Sequence, residues 1–204
     1  MNLRQQKNNN INGIILAGGK SSRMGTDKAL LKIGNKTLLE ILFEKLNPFC
    51  RTVLISTNNP EIKIEGAKII KDKIKNTGPA GGIYSALSAS ESEKNIIVSV
   101  DTPFVTKELF DFLLKNNTSK TEVLIISGKN KLHPLIGIYS KQVSEIFSEE
   151  IKIGNYKIRD IIKKTRHKIL DISEKTFYNE NLLKNINTPE DYNSALKHAG
   201  AEKE

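Results

Sequence analysis

The chain has one cysteine and no tryptophan among its 204 residues, and aromatic residues make up only 6% of it. A single cysteine cannot form an internal disulfide. Cys50 lies in an apolar-rich run, so we expect a buried small apolar residue rather than a nucleophile. No segment approaches the roughly 18 consecutive apolar residues of a membrane-spanning helix, and no signal-peptide core follows the start. We therefore expect a cytoplasmic protein that does not act in a membrane.

Acidic residues are the minority charge, with Asp and Glu numbering 23 against 32 Lys and Arg, for a formal net charge of +9. This surplus favours anionic partners, although a surface rich in Lys and Asn would produce it equally well. Nucleic acid is not an expected partner. The basic residues are scattered instead of forming one stripe, and neither an RNP aromatic pattern nor a zinc-finger spacing is present. Few aromatic residues are available to stack on single strands.

The chain has no Pro/Ser-rich linker and no internal repeat, so the sequence predicts no domain boundary. Residues 1–11 are polar and predict a flexible N-terminal lead-in. The remaining residues, 12–204, suit a single α/β domain, which we expect to be monomeric. Short apolar runs alternate with amphipathic stretches, a pattern typical of a mostly parallel central sheet with helices on both faces. The predicted fold is therefore Rossmann-like.

Six apolar runs predict strands, at residues 14–17, 53–56, 68–70, 96–100, 123–127 and 135–139. Helical periodicity appears at residues 37–46, 83–89, 107–115 and 156–164. Residues 166–170 predict one more strand. A closing helix is expected at residues 189–197, with Thr188 as its N-cap and Pro189 at its first position. In a parallel sheet, ligands bind beyond the carboxyl ends of the strands, where the polar segments that follow these strands converge.

The segment from Gly13 to Lys28 runs from an apolar strand directly into a glycine-rich loop. Glycines let the backbone bring its N–H groups close to an anion, and the cations Arg23 and Lys28 lie within reach of a polyphosphate. A Walker A motif ending at residues 19–21 would need a glycine where the chain has Ile14, and Gly-x-Gly-x-x-Gly is also absent. The segment thus predicts a phosphate-binding loop of another kind.

The ordered pattern L-A-G-G-x-S-x-R-M-G-x-D-K in this segment resembles the nucleotidyltransferases that transfer a nucleoside monophosphate from a triphosphate. It is most similar to the molybdenum cofactor guanylyltransferases. Similarity to this family extends from Gly13 to Leu196. It implies a fold of the nucleotide-diphospho-sugar transferase type and GTP as the nucleotide.

A second motif places Asp101 directly after the apolar strand at residues 96–100 and before Thr102 and Pro103. A carboxylate at the carboxyl end of a strand suits Mg²⁺, which often binds one or two protein carboxylates together with phosphate and water. An Asp that only shapes a turn or helix entry is the alternative. The resemblance implies that Asp101 is the Mg²⁺ ligand.

Asp72 opens a third motif, a polar glycine-rich connection that runs to Gly82. A carboxylate here can accept hydrogen bonds from the N1–H and amine of guanine, or from ribose. An ordinary surface loop is the alternative. The family carries a similar segment at the nucleotide, but this chain has Ala80 and Gly81 where Leu and Ala are usual there. Ser56 also stands where the family often has Asn.

Two segments of the carboxyl half match the family on what we expect to be the acceptor side. One contains His133, whose ring could hydrogen-bond a phosphate or a pterin, although a packed turn residue is the commoner use of such a His. The other contains Asn185 and Asn187 at the start of the last helix, where anions are attracted; capping alone would also explain these two residues. His167 and His198 lack ligand-like spacing, so no zinc site is expected.

The resemblance implies transfer of GMP from GTP to molybdenum-bound molybdopterin, with release of pyrophosphate. Arg23, Lys28 and Asp101 are the expected catalytic residues. Seven residues are expected to bind GTP: Leu16, Ala17, Gly18, Gly19, Lys28, Asp72 and Asp101. Partners would include cofactor-assembly proteins and molybdoenzymes.

Two other interpretations stay open. A molybdopterin cytidylyltransferase or a sugar-phosphate nucleotidyltransferase would share the loop and the aspartate, but the cytidylyl branch prefers Ala-Ala-Gly where this chain has Ala17, Gly18 and Gly19. A nucleotide-binding regulator without catalysis would keep the loop and lose a cation or the metal ligand, whereas Arg23, Lys28 and Asp101 are all present.

Overall fold

The predicted apolar runs form one mixed sheet in the computed structural model, which describes residues 10–18 and 27–201. In this part of the chain the sheet has seven strands, in the order β5-β4-β1-β6-β8-β7-β9. Its strands are β1 (Ile11–Leu16), β4 (Val53–Ser56), β5 (Ala67–Ile70), β6 (Lys94–Ser99), β7 (Val123–Gly128), β8 (Lys131–Ser140) and β9 (His167–Asp171). A small hairpin is formed by β2 (Lys32–Ile33) and β3 (Lys36–Thr37).

Six α-helices accompany the strands in the described residues: α1 (Leu38–Leu46), α2 (Gly78–Ala89), α3 (Lys107–Asn116), α4 (Val143–Lys152), α5 (Ile158–Ile162) and α6 (Pro189–Ala201). Two short 3₁₀ helices, Lys28–Leu30 and Asn47–Phe49, lie between them. None of the described helices has the length and apolar character of a membrane crossing.

All pairings in the main sheet are parallel except those of β8, which runs antiparallel to both β6 and β7. The strand order reverses beside β1, because β4 and β5 lie on one side of it and β6 on the other. In open α/β sheets ligands bind at such a switch point, beyond the carboxyl ends of the strands. The predicted mostly parallel sheet is confirmed, and its topology places the expected site between the ends of β1 and β6.

The sheet is covered on both faces, as the continuous apolar strands predict. Alternate residues of β1 enter two separate cores: Ile15 packs with α1 and α3, whereas Ile14 packs with α2, α4 and α5. Helix α1 begins where Thr37 and Glu40 form a capping box, with Glu40 N–H donating to Thr37 Oγ1 at 3.1 Å. Cys50 is fully buried among apolar side chains, in line with its predicted role.

Several elements differ from the sequence prediction: α4 was not predicted, and β1 begins at Ile11 rather than at residue 14. Helix α2 starts at Gly78, so the glycine-rich stretch is its first turn and not a loop. Pro79 is compatible with a first turn, and a side chain at Gly81 would lie 1.9 Å from Thr77 Oγ1. Strand β8 starts at Lys131 rather than at residue 135, because a bulge opposite residues 125 and 126 of β7 lets the strand continue through Pro134.

Candidate active site

The end of β1 forms the floor of the site at the switch point. Leu16 and Ala17 are buried between the neighbouring strands, with Leu16 O accepting from Val100 N–H at 3.0 Å and Ala17 N–H donating to Ser56 O at 2.9 Å. Gly18 follows and is exposed. Among the described residues, a side-chain carbon there would come within 4 Å of Ser56 O alone, at 3.7 Å. Gly19 and Arg23, also predicted to bind the nucleotide, lie outside the described residues.

Asp101 lies two residues after the end of β6 and is half-buried at the same edge of the sheet. Its Oδ2 accepts a hydrogen bond from Asn185 Nδ2 at 3.1 Å. Its Oδ1 is buried and has no hydrogen-bond partner among the described residues. A buried carboxylate oxygen without a donor is costly unless a ligand satisfies it. The donor set at Asp101 therefore fits a hard cation.

No cluster of three or more His, Cys, Asp or Glu that could hold a metal occurs in the described ranges. A cation at Asp101 would accordingly take most of its ligands from phosphate and water, which is the usual way Mg²⁺ binds with nucleotides.

Lys28 is the first residue of the 3₁₀ helix Lys28–Leu30. Asp27 caps this helix, with its Oδ1 accepting from Ala29 N–H at 3.0 Å. Lys28 Nζ donates to Asn187 Oδ1 at 2.6 Å. An amide oxygen is a neutral acceptor that a phosphate oxygen can replace with a stronger, charge-assisted bond.

Asn185 and Asn187 thus contact the two charged groups of the site, Asp101 and Lys28. The start of α6 fixes their segment: Asp191 Oδ2 accepts from the N–H groups of Asn187 and Thr188, both at 2.9 Å. Thr188 Oγ1 in turn accepts from Asp191 N–H at 3.2 Å, as predicted for an N-cap. These hydrogen bonds lower the pKa of Asp191 and keep it ionised at the helix start.

Asp72, after β5, lies beside the end of β4 and the first turn of α2. Its Oδ1 accepts from Ser56 Oγ at 3.3 Å and its Oδ2 from Asn58 Nδ2 at 2.9 Å. Gly82 of α2 is close to this group, since a side-chain carbon there would lie 2.9 Å from Ser56 Oγ and 3.8 Å from Asp72 Oδ1. The glycine lets the helix approach the carboxylate closely.

His133 is at the same edge of the sheet but outside this hydrogen-bond network. It is half-buried on β8, paired with Ile126 of β7. Burial lowers its imidazole pKa, with smaller contributions from the charges of Lys131 and Arg159. The ring is therefore neutral near pH 7, and it can donate or accept a hydrogen bond but does not add a fixed positive charge.

Three residues that hold the site were not predicted: Asp27, Asn58 and Asn59. Asn58 and Asn59 follow β4 as a pair, and each contacts one carboxylate, Asp72 or Asp27. The sequence does show two consecutive asparagines just after a buried strand. This pattern could have indicated site residues, because polar residues at the carboxyl ends of parallel strands meet at one edge of the sheet.

Comparison with known proteins identifies the same family that the sequence motifs resemble. The family model described as "MobA-like NTP transferase domain" matches residues 13–169. The chain is 36% identical to a "Probable molybdenum cofactor guanylyltransferase" of Flavobacterium johnsoniae, over 88% of this chain and 93% of that protein. It is 35% identical to a protein of the same name from Carboxydothermus hydrogenoformans, over 92% and 96%.

A crystal structure of molybdopterin-guanine dinucleotide biosynthesis protein A from Archaeoglobus fulgidus has the same fold, with a TM-score of 0.80 and 23% identity, over 93% of this chain and 99% of that one. The site lies at the switch point of this shared fold, and the family match spans the strands from β1 to β8. The chain belongs to the MobA-like NTP transferase family, which is a family of nucleotidyltransferases.

Proposed function

We propose that the protein transfers GMP from GTP to molybdenum-bound molybdopterin, forming the guanine dinucleotide cofactor and pyrophosphate. The names of its relatives support this reaction. The observation that carries the proposal is that Lys28 and Asp101 are each hydrogen-bonded to one asparagine of the same short segment, Asn187 and Asn185. A cation and a carboxylate held by one segment at the carboxyl ends of the strands suit a magnesium-bound triphosphate.

In the proposed reaction an oxygen of the acceptor's terminal phosphate attacks the α-phosphorus of GTP. A new P–O bond forms while the bond from the α-phosphorus to the bridging oxygen breaks, and its electron pair leaves with pyrophosphate. The acceptor phosphate is already ionised at neutral pH, so no dedicated general base is required. The protein therefore has to position two anions and offset their charge.

Lys28 provides one positive charge for the triphosphate, and we expect Arg23 of the same loop to provide another. Both cations would stabilise the charge that develops on the leaving pyrophosphate. Leu16, Ala17, Gly18 and Gly19 would bring backbone groups against the nucleotide at the end of β1.

Asp101 would hold Mg²⁺ through its unpartnered Oδ1, with Asn185 fixing the other oxygen. When bound, the ion would offset the negative charge of the phosphates.

Asp72 would identify the base, by accepting hydrogen bonds from the N1–H and exocyclic amine of guanine. On the acceptor side, Asn187 could exchange its bond with Lys28 for a phosphate when substrates bind, and neutral His133 could donate to a phosphate or pterin. The protein would act in the cytoplasm as a monomer and pass its product to cofactor-assembly proteins or molybdoenzymes.

One assay tests the proposal. Purified protein is incubated with Mg²⁺, molybdenum-bound molybdopterin and GTP, CTP, ATP or UTP, and the dinucleotide and pyrophosphate are quantified. We expect product with GTP well above the other three. A chain that forms the cytosine dinucleotide at least as fast is a cytidylyltransferase, and one that binds GTP without forming pyrophosphate is not a transferase of this kind.

A further inference from the structure

The loop after β4 connects the two ends of the candidate nucleotide site through Asn58 and Asn59. Asn58 pairs twice with Asp72: its Nδ2 donates to Asp72 Oδ2 at 2.9 Å, and its Oδ1 accepts from Asp72 N–H at 3.1 Å. Both ends of this amide are therefore used by one residue. The other carboxylate oxygen, Oδ1, has a longer bond, 3.3 Å, from Ser56. Asn58 is thus the closer of the two side chains that orient Asp72.

Asn59 makes the corresponding link to the phosphate end. Its Nδ2 donates to Asp27 Oδ2 at 2.8 Å, and its Oδ1 accepts from Glu61 N–H at 2.9 Å. The second oxygen of Asp27 caps the 3₁₀ helix through Ala29 N–H. Asn59 therefore fixes the carboxylate that precedes Lys28 and starts the helix on which Lys28 is carried.

The loop that holds the two asparagines is itself anchored. Thr57 N–H donates to Ile70 O at 3.0 Å, and Thr57 Oγ1 accepts from Asn59 N–H at 3.1 Å. Ile62, three residues beyond Asn59, is only 3% exposed and belongs to the apolar core. Because the loop is anchored, the side-chain amides of Asn58 and Asn59 are already ordered before a ligand binds. They can therefore hold the carboxylates of Asp72 and Asp27 in fixed positions.

We propose that Asn58 and Asn59 are positioning residues with separate tasks, Asn58 setting nucleobase specificity through Asp72 and Asn59 setting triphosphate affinity through Asp27. This inference rests on the proposed function, because it takes Asp72 as the group that accepts from guanine. A carboxylate that must accept two parallel N–H bonds from one base edge has to hold its plane. Asn58 restricts that plane, whereas Asn59 does not contact Asp72.

Neither asparagine is needed to fill the core. Asn58 is exposed and Asn59 is half-buried, so truncating either side chain leaves no apolar cavity. Removal of exposed polar contacts usually changes stability little. The two variants can therefore be compared in folded protein, and adjacent positions in one loop serve as matched controls for each other.

The test measures binding by calorimetry in the presence of Mg²⁺, with three probes and no acceptor. The probes are GTP, inosine triphosphate, which lacks the exocyclic amine of guanine, and inorganic triphosphate, which has no base. The ratio of GTP to inosine triphosphate affinity reports on Asp72, and inorganic triphosphate reports on the phosphate end alone. The variants are Asn58→Ala, Asn58→Asp, Asn59→Ala and Asp72→Ala, each with its melting temperature.

We expect Asn58→Ala to lower the ratio of GTP to inosine triphosphate affinity about three- to tenfold, the range of a weakened charge-assisted hydrogen bond, and to leave inorganic triphosphate unchanged. Asn58→Asp keeps the size of the side chain but sets a carboxylate against Asp72, so it should lower the ratio further. Asn59→Ala should lower the affinity for all three probes by a similar factor and leave the ratio of GTP to inosine triphosphate affinity unchanged.

The outcomes separate the inference from the function on which it rests. If Asp72→Ala removes the base preference while both Asn58 variants retain it, Asp72 identifies the base and the role of Asn58 is wrong. If Asn59→Ala binds inorganic triphosphate as the unchanged protein does, the role of Asn59 is wrong. If Asp72→Ala itself keeps the preference for GTP, the assignment of the base pocket fails, whatever the asparagine variants do.

Discussion

Asn185 donates a hydrogen bond to only one oxygen of Asp101, and this leaves the other carboxylate oxygen buried and without a donor. The two residues are 84 positions apart, and the contact exists because Ile186 N–H also donates to Asp101 O at 2.8 Å. The segment before α6 is thereby fixed against the end of β6. Within the described residues, this unsatisfied carboxylate oxygen is the observation that supports the proposed cation site at Asp101.

The first prediction concerns Asp101. Asp101→Asn should abolish turnover in a folded protein, because a neutral amide cannot replace a carboxylate as a hard ligand and the loss is several kcal/mol of transition-state stabilisation. Pyrophosphate release and the melting temperature are measured together. Asp111→Asn on α3 is the matched control, since it removes one carboxylate away from the switch point. Near-normal product formation by folded Asp101→Asn would show that Asp101 is not the metal ligand.

Asn185 gives a second prediction. Asn185→Ala should raise the Mg²⁺ concentration needed for half-maximal activity several-fold, because Asp101 loses the donor that fixes its Oδ2. The KM for the acceptor should change less than this Mg²⁺ requirement. A large increase in acceptor KM at an unchanged Mg²⁺ requirement would instead make Asn185 an acceptor contact.

The third prediction concerns Lys28. Lys28→Ala should weaken GTP binding about ten- to a hundredfold, since a hydrogen bond to a charged group contributes roughly 1.5 to 3 kcal/mol. Calorimetry with GTP and Mg²⁺ measures it. Lys115→Ala is the control for net charge, because Lys115 is exposed near the end of α3. Equal affinities of the Lys28 variant and the unchanged protein would exclude a phosphate contact.

Most of the strands and helices could be predicted from the sequence because they depend on local pattern, although α4 was not predicted. Residues 53–56 were predicted as a strand and form β4 with those bounds. The first turn of α2 was missed, because Gly and Pro are poor helix formers and only tertiary packing against Ser56 and Asp72 explains Gly82 in a helix. The predicted strand at residues 135–139 was shorter than β8 for a similar reason, since the bulge in β8 depends on its pairing with β7.

Individual site residues could be proposed, but their hydrogen-bond partners could not. The sequence indicates that Lys28, Asp72 and Asp101 follow strands or loops at one edge. Nothing in it shows that Asn187 contacts Lys28, which is 159 positions away. Such contacts are set by how distant segments pack, and a single sequence carries no record of them.

The fourth prediction is a pH dependence at His133. Its imidazole pKa lies below the ordinary value of about 6.5 because burial disfavours the charged form. The unfolded chain therefore takes up a proton first as the pH falls below 6.5, so the free energy of unfolding should decrease in that range. His133→Gln should reduce this part of the decrease. Denaturant unfolding at pH 7.5 and 5.5 tests it, and an imidazole that titrates above 6.5 by NMR would contradict it.

The last prediction is a preference for GTP over CTP that depends on Asp72 and Gly18. Guanine offers two neighbouring N–H donors to a carboxylate, and cytosine cannot offer them in the same geometry. Each buried group left unpaired costs about 1 to 3 kcal/mol, so Asp72→Ala should lower GTP affinity more than CTP affinity.

Gly18→Ala tests the space for the larger ring. Within residues 10–18 and 27–201 the new methyl would meet no atom closer than Ser56 O at 3.7 Å, so we expect the variant to fold. A nucleotide lying over the end of β1 would meet that methyl, and a purine needs the space more than a pyrimidine. The ratio of GTP to CTP turnover should therefore fall, while affinity for inorganic triphosphate stays the same. An unchanged ratio would show that the base lies elsewhere, and equal or faster turnover of CTP by the unmodified chain would replace the guanylyl assignment with the cytidylyl one.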